Sequence, residues 1–150
     1  MVKINGLRVL AGGLLAGVVI NVCEYVVNGV LLKDRWADAM TNLHRSAQYS
    51  SIEMASFIVW GFMVGLFAIW LYAAIRPRYG AGLKTAIVAG AAVWALGYVA
   101  NTIPAAAMHI FPRRLLALGL VAGLVEALVA TVLGAWLYKE ASSSDTPSAA

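Results

Sequence analysis

A chain of 150 residues that is 62% hydrophobic and only 12% charged is excluded from the ordinary soluble class, whose members run at about half apolar and about a quarter charged. Its mean hydropathy of +0.82 points the same way. The net charge of +4 comes from Lys and Arg flanking the apolar blocks, so it belongs to lipid headgroups and topology and leaves no basic patch for nucleic acid.

The first apolar block runs from Leu7 to Leu32. Lys3 and Arg8 precede it as a basic n-region precedes a signal peptide, but the run is too long, and bulky Val22 stands before the single cysteine, Cys23, where a lipoprotein cleavage site needs a small residue. It therefore reads as an uncleaved span. One cysteine excludes an internal disulfide, and Cys23 reads as a small hydrophobe packed between helices. Next comes "KDRWADAMTNLHRSAQYSS", in which Trp36, Met40, Leu43 and Ala47 recur at helical spacing, the pattern of a short interfacial helix. A second span is expected from Met54 to Ile75, then a basic turn from Arg76 to Lys84 broken by Pro77, Gly80 and Gly82. A third span runs from Thr85 to Ile103 and stops at Pro104; a fourth restarts after Pro112 and covers Leu115 to Tyr138. The chain closes on "ASSSDTPSAA", from Ala141, a polar tail expected to be disordered. Each block is near the roughly 20 residues that cross a bilayer core. The expected fold is an all-α membrane protein, a single four-helix transmembrane domain over residues 1–140.

Orientation rests on a close count. Lys3, Arg8, Arg76, Arg78, Lys84 and Lys139 fall on the side of the termini, and Lys33, Arg35, Arg45, Arg113 and Arg114 on the other, together the 11 basic residues of the chain. The excess favours cytoplasmic termini in a bacterial inner membrane.

The chain also matches itself. A shift of about 73 positions lays "AGVVINVCEYVVNG" on "AGAAVWALGYVANT", pairing Gly17 with Gly90, Tyr25 with Tyr98 and Asn28 with Asn101, and carries Glu53 onto Glu126 and Gly61 onto Gly134. Two parallel two-helix repeats follow, related by an axis along the membrane normal. On that reading Tyr25 should face Tyr98, and Asn28 should face Asn101.

Within the first span, Asn21, Glu24, Tyr25 and Asn28 sit at i, i+3, i+4 and i+7 and share one face; Trp94, Gly97, Tyr98 and Asn101 do so in the third. A charge in hydrocarbon costs about 2.5 to 3.5 kcal/mol on insertion scales, so these faces should point inward. The candidate ligand-binding residues are Asn21, Glu24, Tyr25, Asn28, Glu53, Tyr98 and Asn101, in a pocket opening away from the termini. Glu24 is expected to be the functional carboxyl. Glu126 falls near mid-membrane among Gly123, Ala127 and Ala130 and is expected to be structural.

Gly119, Gly123, Ala127, Ala130 and Gly134 form a small-residue track in the fourth span, and Gly61 with Gly65 makes a G-x-x-x-G in the second, which suits close helix contacts within the chain or between copies. His44 and His109 lie in connections without ligand spacing, and no nucleotide, zinc or nucleophile motif occurs; no cofactor, metal or catalytic residue is expected.

The N-x-x-E-Y-x-x-N first helix, "GLKTAIVAG" and "GLVEALVATVLGAWLYKE" resemble small four-span bacterial integral membrane proteins of unassigned function. The likeness covers nearly the whole chain and implies no activity. A looser similarity, four short helices with a carboxylate in the first, links it to small multidrug transporters; the long connection from Lys33 to Ser51 and the second carboxylate at Glu126 depart from their pattern. Two functions compete. One is a homo-oligomer whose acidic pocket binds or moves a proton-coupled or cationic small solute. The other is an accessory or assembly subunit of a larger membrane complex. A four-span glutathione-transferase-like enzyme fits least, since no Arg-rich polar cluster for a thiol cofactor is visible.

Overall fold

The computed structural model describes residues 4–138; the polar tail expected from Ala141 lies outside them. Among the described residues four helical segments are long and apolar enough to cross a membrane, Gly6–Leu31, Ser51–Tyr79, Leu83–Ala107 and Arg113–Leu137. The protein is a multi-pass four-helix membrane bundle. Between 22% and 33% of the residues in each span's most apolar window are buried inside it, so most of the apolar surface needs lipid as its solvent.

The first span is α1, Gly6–Glu24, continued without a break by a π-helical segment, Tyr25–Leu31. Asn5 caps its start, its side chain accepting from the Arg8 amide at 3.2 Å. The wider π turn is set by bonds such as Leu32 N–H to the Val27 carbonyl at 2.8 Å. A short helix, α2, Lys33–Asn42, follows. It matches the expected interfacial helix but ends earlier, so Ala47 falls beyond it. His44, at φ 54, closes it in the left-handed region, with Arg45 N–H returning to the Met40 carbonyl.

The second span, α3, Ser51–Tyr79, begins earlier than expected. Ser50 and Glu53 form a reciprocal capping box, and Glu53 accepts from the Ser50 amide at 2.8 Å and its hydroxyl at 2.9 Å. At the other end Pro77 lies inside the last turn without ending the helix; Gly80, at φ 85, ends it. The third span comprises α4, Leu83–Trp94, a π-helical segment, Ala95–Val99, and α5, Ala100–Ala107. It carries on past Pro104, which lies inside α5. The last span is α6, Arg113–Leu137, starting at Pro112.

Around the bundle, α1 packs on α3 and α6, and α4 packs on α6 and α3. Contact between α3 and α6 crosses the middle, which leaves α1 and α4 at opposite corners. Glycine makes the closest approaches. A Cβ on Gly134 would lie 2.6 Å from the Gly12 carbonyl oxygen, and one on Gly13 would lie 2.7 Å from Leu66 Cα. Gly65 meets Gly13 and Gly17 backbone directly. These contacts sit on the terminal side with the main core of Ala16, Ile20, Ile69, Tyr72, Ala89 and Ala130. Tyr138 ties the ends together, its hydroxyl accepting from the Asn5 amide at 3.3 Å.

The opposite side, carrying α2, is built differently. Leu32, Ala39 and Leu115 form a small separate core with Trp36 and Phe111 packed on it, so α2 covers the ends of α1 and α6. The first ten residues of α3, Ser51–Trp60, are exposed on every face. The bundle is thus tight on the side of the termini and splayed at α3 on the other.

Candidate functional site

Two polar pairs join a carboxyl to a neutral donor, one toward the splayed side and one near the middle of the bundle. On the first span Asn28 Nδ2 donates to Glu24 Oε2 at 2.5 Å, and Asn28 Oδ1 in turn accepts from Trp36 Nε1 of α2 at 2.9 Å. The helical spacing i, i+4 brings Asn28 over Glu24. Trp36 reaches them because α2 folds back, with its ring edge-on to Phe111 at 5.3 Å.

The second pair bridges two spans. Tyr98 Oη donates to Glu126 Oε1 at 2.5 Å, and the Tyr98 ring lies against Gly123, one turn before the carboxyl, where any side chain would collide with it. Glu126 is only 3% exposed. Its other oxygen takes no hydrogen bond among the described residues, and neither does Glu24 Oε1. Glu24, Glu126, Tyr98 and Cys23 lie close enough to interact electrostatically. The two carboxyls stand on different helices, each with one oxygen engaged and the other without a hydrogen bond among the described residues. Chemically, such an arrangement can accept a proton, a metal ion of low charge or an organic cation. No group of three or more His, Cys, Asp or Glu side chains that could hold a metal ion occurs among the described residues.

The other candidates are placed elsewhere. Asn21 donates to the Gly17 and Ile58 carbonyls at 2.8 and 3.3 Å and stitches α1 to α3 beside Gly61. Tyr25 is 68% exposed. Asn101 is exposed and bonds back to the Gly97 carbonyl at 2.7 Å. The expected meetings of Tyr25 with Tyr98 and of Asn28 with Asn101 are not made, because the first and third spans occupy opposite corners while the second and fourth touch across the centre. Glu53 is removed from the cluster as well: its carboxyl is consumed by the capping box at the exposed start of α3. The S-x-x-E spacing of Ser50 and Glu53 carries that signal in the sequence.

Three residues gain importance that the sequence did not assign them. Trp36 orients Asn28, Trp94 Nε1 donates to the Leu120 carbonyl at 2.9 Å and joins α4 to α6, and the Trp60 ring meets Tyr98 edge-on at 5.8 Å. A membrane-anchoring role is the ordinary expectation for tryptophan, and only the fold brings Trp36 to Asn28 and Trp60 to Tyr98. Both π-helical segments, Tyr25–Leu31 and Ala95–Val99, adjoin the site, where a widened turn re-aims the side chains around Glu24 and Tyr98.

Comparison with protein-family models, with curated proteins and with solved structures finds no match to this chain. Its functional reading therefore rests on the chemistry of the site.

Proposed function

We propose that this membrane protein binds a small cationic solute, or a proton in exchange for one, at Glu24 and Glu126. The observation that carries the reading is the pair of carboxyls on separate spans, each with one oxygen engaged by an uncharged donor and the other unclaimed. Carboxyls retained only to join helices would be expected to spend both oxygens on protein donors, since an unsatisfied acceptor in hydrocarbon is costly. Tyr98, Asn28 and Trp36 are positioning residues that hold the two groups in place. On this reading Glu126 shares the role that the sequence pattern gives to Glu24 alone.

The setting belongs to the same proposal: a bacterial inner membrane, both termini in the cytoplasm, and a chain derived from a duplicated helical hairpin. The duplication is supported by the matched Tyr, Asn and Glu positions and by the way α1 and α4 each pack on both α3 and α6. The packing registers have diverged, however. Gly17 meets Phe62 and Gly65, whereas Gly90 meets Ala127, Leu128 and Thr131 rather than Ala135 and Tyr138, which stand at the shifted positions.

Thermal unfolding of the purified protein in mild detergent tests the binding claim. A cation that binds the folded state at 100 times its Kd adds about 2.7 kcal/mol by mass action. Across a panel containing tetramethylammonium and tetraphenylphosphonium, at least one should raise Tm, and the rise should vanish in both Glu24→Gln and Glu126→Gln. Equal rises in wild type and both variants would sink the proposal.

A further inference from the structure

We infer that a pocket between the end of α2 and the start of α3 holds the headgroup of a zwitterionic phospholipid, its phosphate on Arg45 and its primary ammonium on Glu53. The pocket has a volume of about 300 Å³, at the small end of the roughly 300 to 1,000 Å³ usual for ligand sites, which suits a headgroup. Met40 lines it from α2, Arg45, Gln48 and Tyr49 from the connection, and Glu53 and Phe57 from the first turns of α3. The chain is turned here by His44, at φ 54, and by Ser46, whose hydroxyl accepts from the Gln48 amide at 3.1 Å and donates to the Gln48 carbonyl at 3.3 Å.

Charge selects the polar part of the ligand. Arg45 lies within electrostatic reach of Glu53, yet its guanidinium makes no hydrogen bond among the described residues. A planar fork of donors suits a phosphate. Both bonds from Ser50 fall on Glu53 Oε2, which leaves Oε1 to accept from an ammonium N–H. One cation beside one anion matches a headgroup of no net charge. An anionic headgroup would meet repulsion from Glu53, and a trimethylammonium has no N–H to give it.

Position selects a lipid over a free phosphoester. The Tyr49 and Phe57 rings meet edge-on at 5.4 Å and give the pocket an apolar inner end. Phe57 lies one turn beyond Glu53, about 6 Å along the helix axis. The headgroup layer is roughly 5 to 7 Å deep on each side of a bilayer, so with Glu53 at headgroup level Phe57 meets the start of the acyl chains. Below it the first ten residues of α3 are exposed, Ile52, Ile58 and Val59 among them. Acyl chains attached to a seated headgroup would lie on that surface, which a soluble ligand would leave uncovered.

Native mass spectrometry of the full-length protein in mild detergent tests this, with phosphatidylethanolamine, phosphatidylcholine and phosphatidylglycerol of matched chains supplied in equal amounts. One phosphatidylethanolamine should be retained per chain, at least about fivefold over either competitor. Arg45→Ala and Glu53→Gln should each abolish that preference, and Arg45→Lys should keep part of it. Gln can still serve the capping box, so an unchanged Tm in Glu53→Gln separates loss of the charge from loss of the fold. Equal retention of the three lipids, or a preference for phosphatidylglycerol, would overturn the site. Displacement of the lipid by an equal concentration of soluble glycerophosphoethanolamine would overturn the assignment to a bilayer lipid. None of these outcomes bears on the cation proposed at Glu24 and Glu126, which are not part of this pocket.

Discussion

At the scale of single residues, the two carboxyls differ in how the fold holds them. Glu24 is served by its own helix through Asn28, whereas Glu126 is held by Tyr98 from a neighbouring span. Tyr98→Phe should therefore loosen the contact between the third and fourth spans. A hydrogen bond within a membrane bundle contributes on the order of 1 kcal/mol, and a double-mutant cycle pairing Tyr98→Phe with Glu126→Gln, read by unfolding in detergent, should return a coupling of about that size. Strict additivity would mean that the bond is geometrically present and energetically idle. Both partners are visible in the sequence as polar residues in apolar spans. Their pairing is not legible there, because the repeat matches Tyr98 to Tyr25 by position, and a repeat assigns equivalence without saying which spans touch.

Among the helices, the small-residue track of α6 divides into parts with different work. Gly134 lies on Gly12, Gly123 lies under the Tyr98 ring, and Gly119 has open space where its side chain would be. In α3, Gly65 sits on Gly13 and Gly17. Gly13→Ala forces a new carbon against the α3 backbone and should cost about 1 to 3 kcal/mol. Gly119→Ala meets nothing in the chain and should be neutral or slightly stabilising, since alanine is the better helix former. Thermal unfolding of the two variants side by side checks this, and equal losses would contradict the packing described. Helix positions are readable from apolar run length, and the polar face of the first span from its spacing. The ends are less so: the capping box extends α3 to Ser51, Pro77 is tolerated in a last turn, and α5 carries Pro104 inside it.

For the whole molecule, the even number of spans puts the two termini and the turn from Gly80 to Gly82 on one face and α2 on the other. Single cysteines introduced at Ala81, within that turn, and at Gln48, in a Cys23→Ser background, should label from opposite faces of intact cells, Gln48 alone being open to an impermeant maleimide. Labelling of both from outside would refute the four-span topology; labelling of Ala81 alone would reverse only the orientation. Four spans follow from composition, because length and hydropathy constrain them directly. The splayed side does not, since it depends on α2 folding back over α1 and α6 while α3 starts free of neighbours.

The central claim is that Glu24 and Glu126 serve one cation together, and equilibrium dialysis of tetraphenylphosphonium against wild type, Glu24→Gln, Glu126→Gln and the double variant tests it most directly. The account predicts one saturable site per chain. Each single change should weaken binding at least about tenfold, the double variant should lose less than the sum of the two, and Glu53→Gln, at the capping box, should bind as wild type does. Wild-type affinity in both single variants, or losses in the two that simply add, would contradict a shared site.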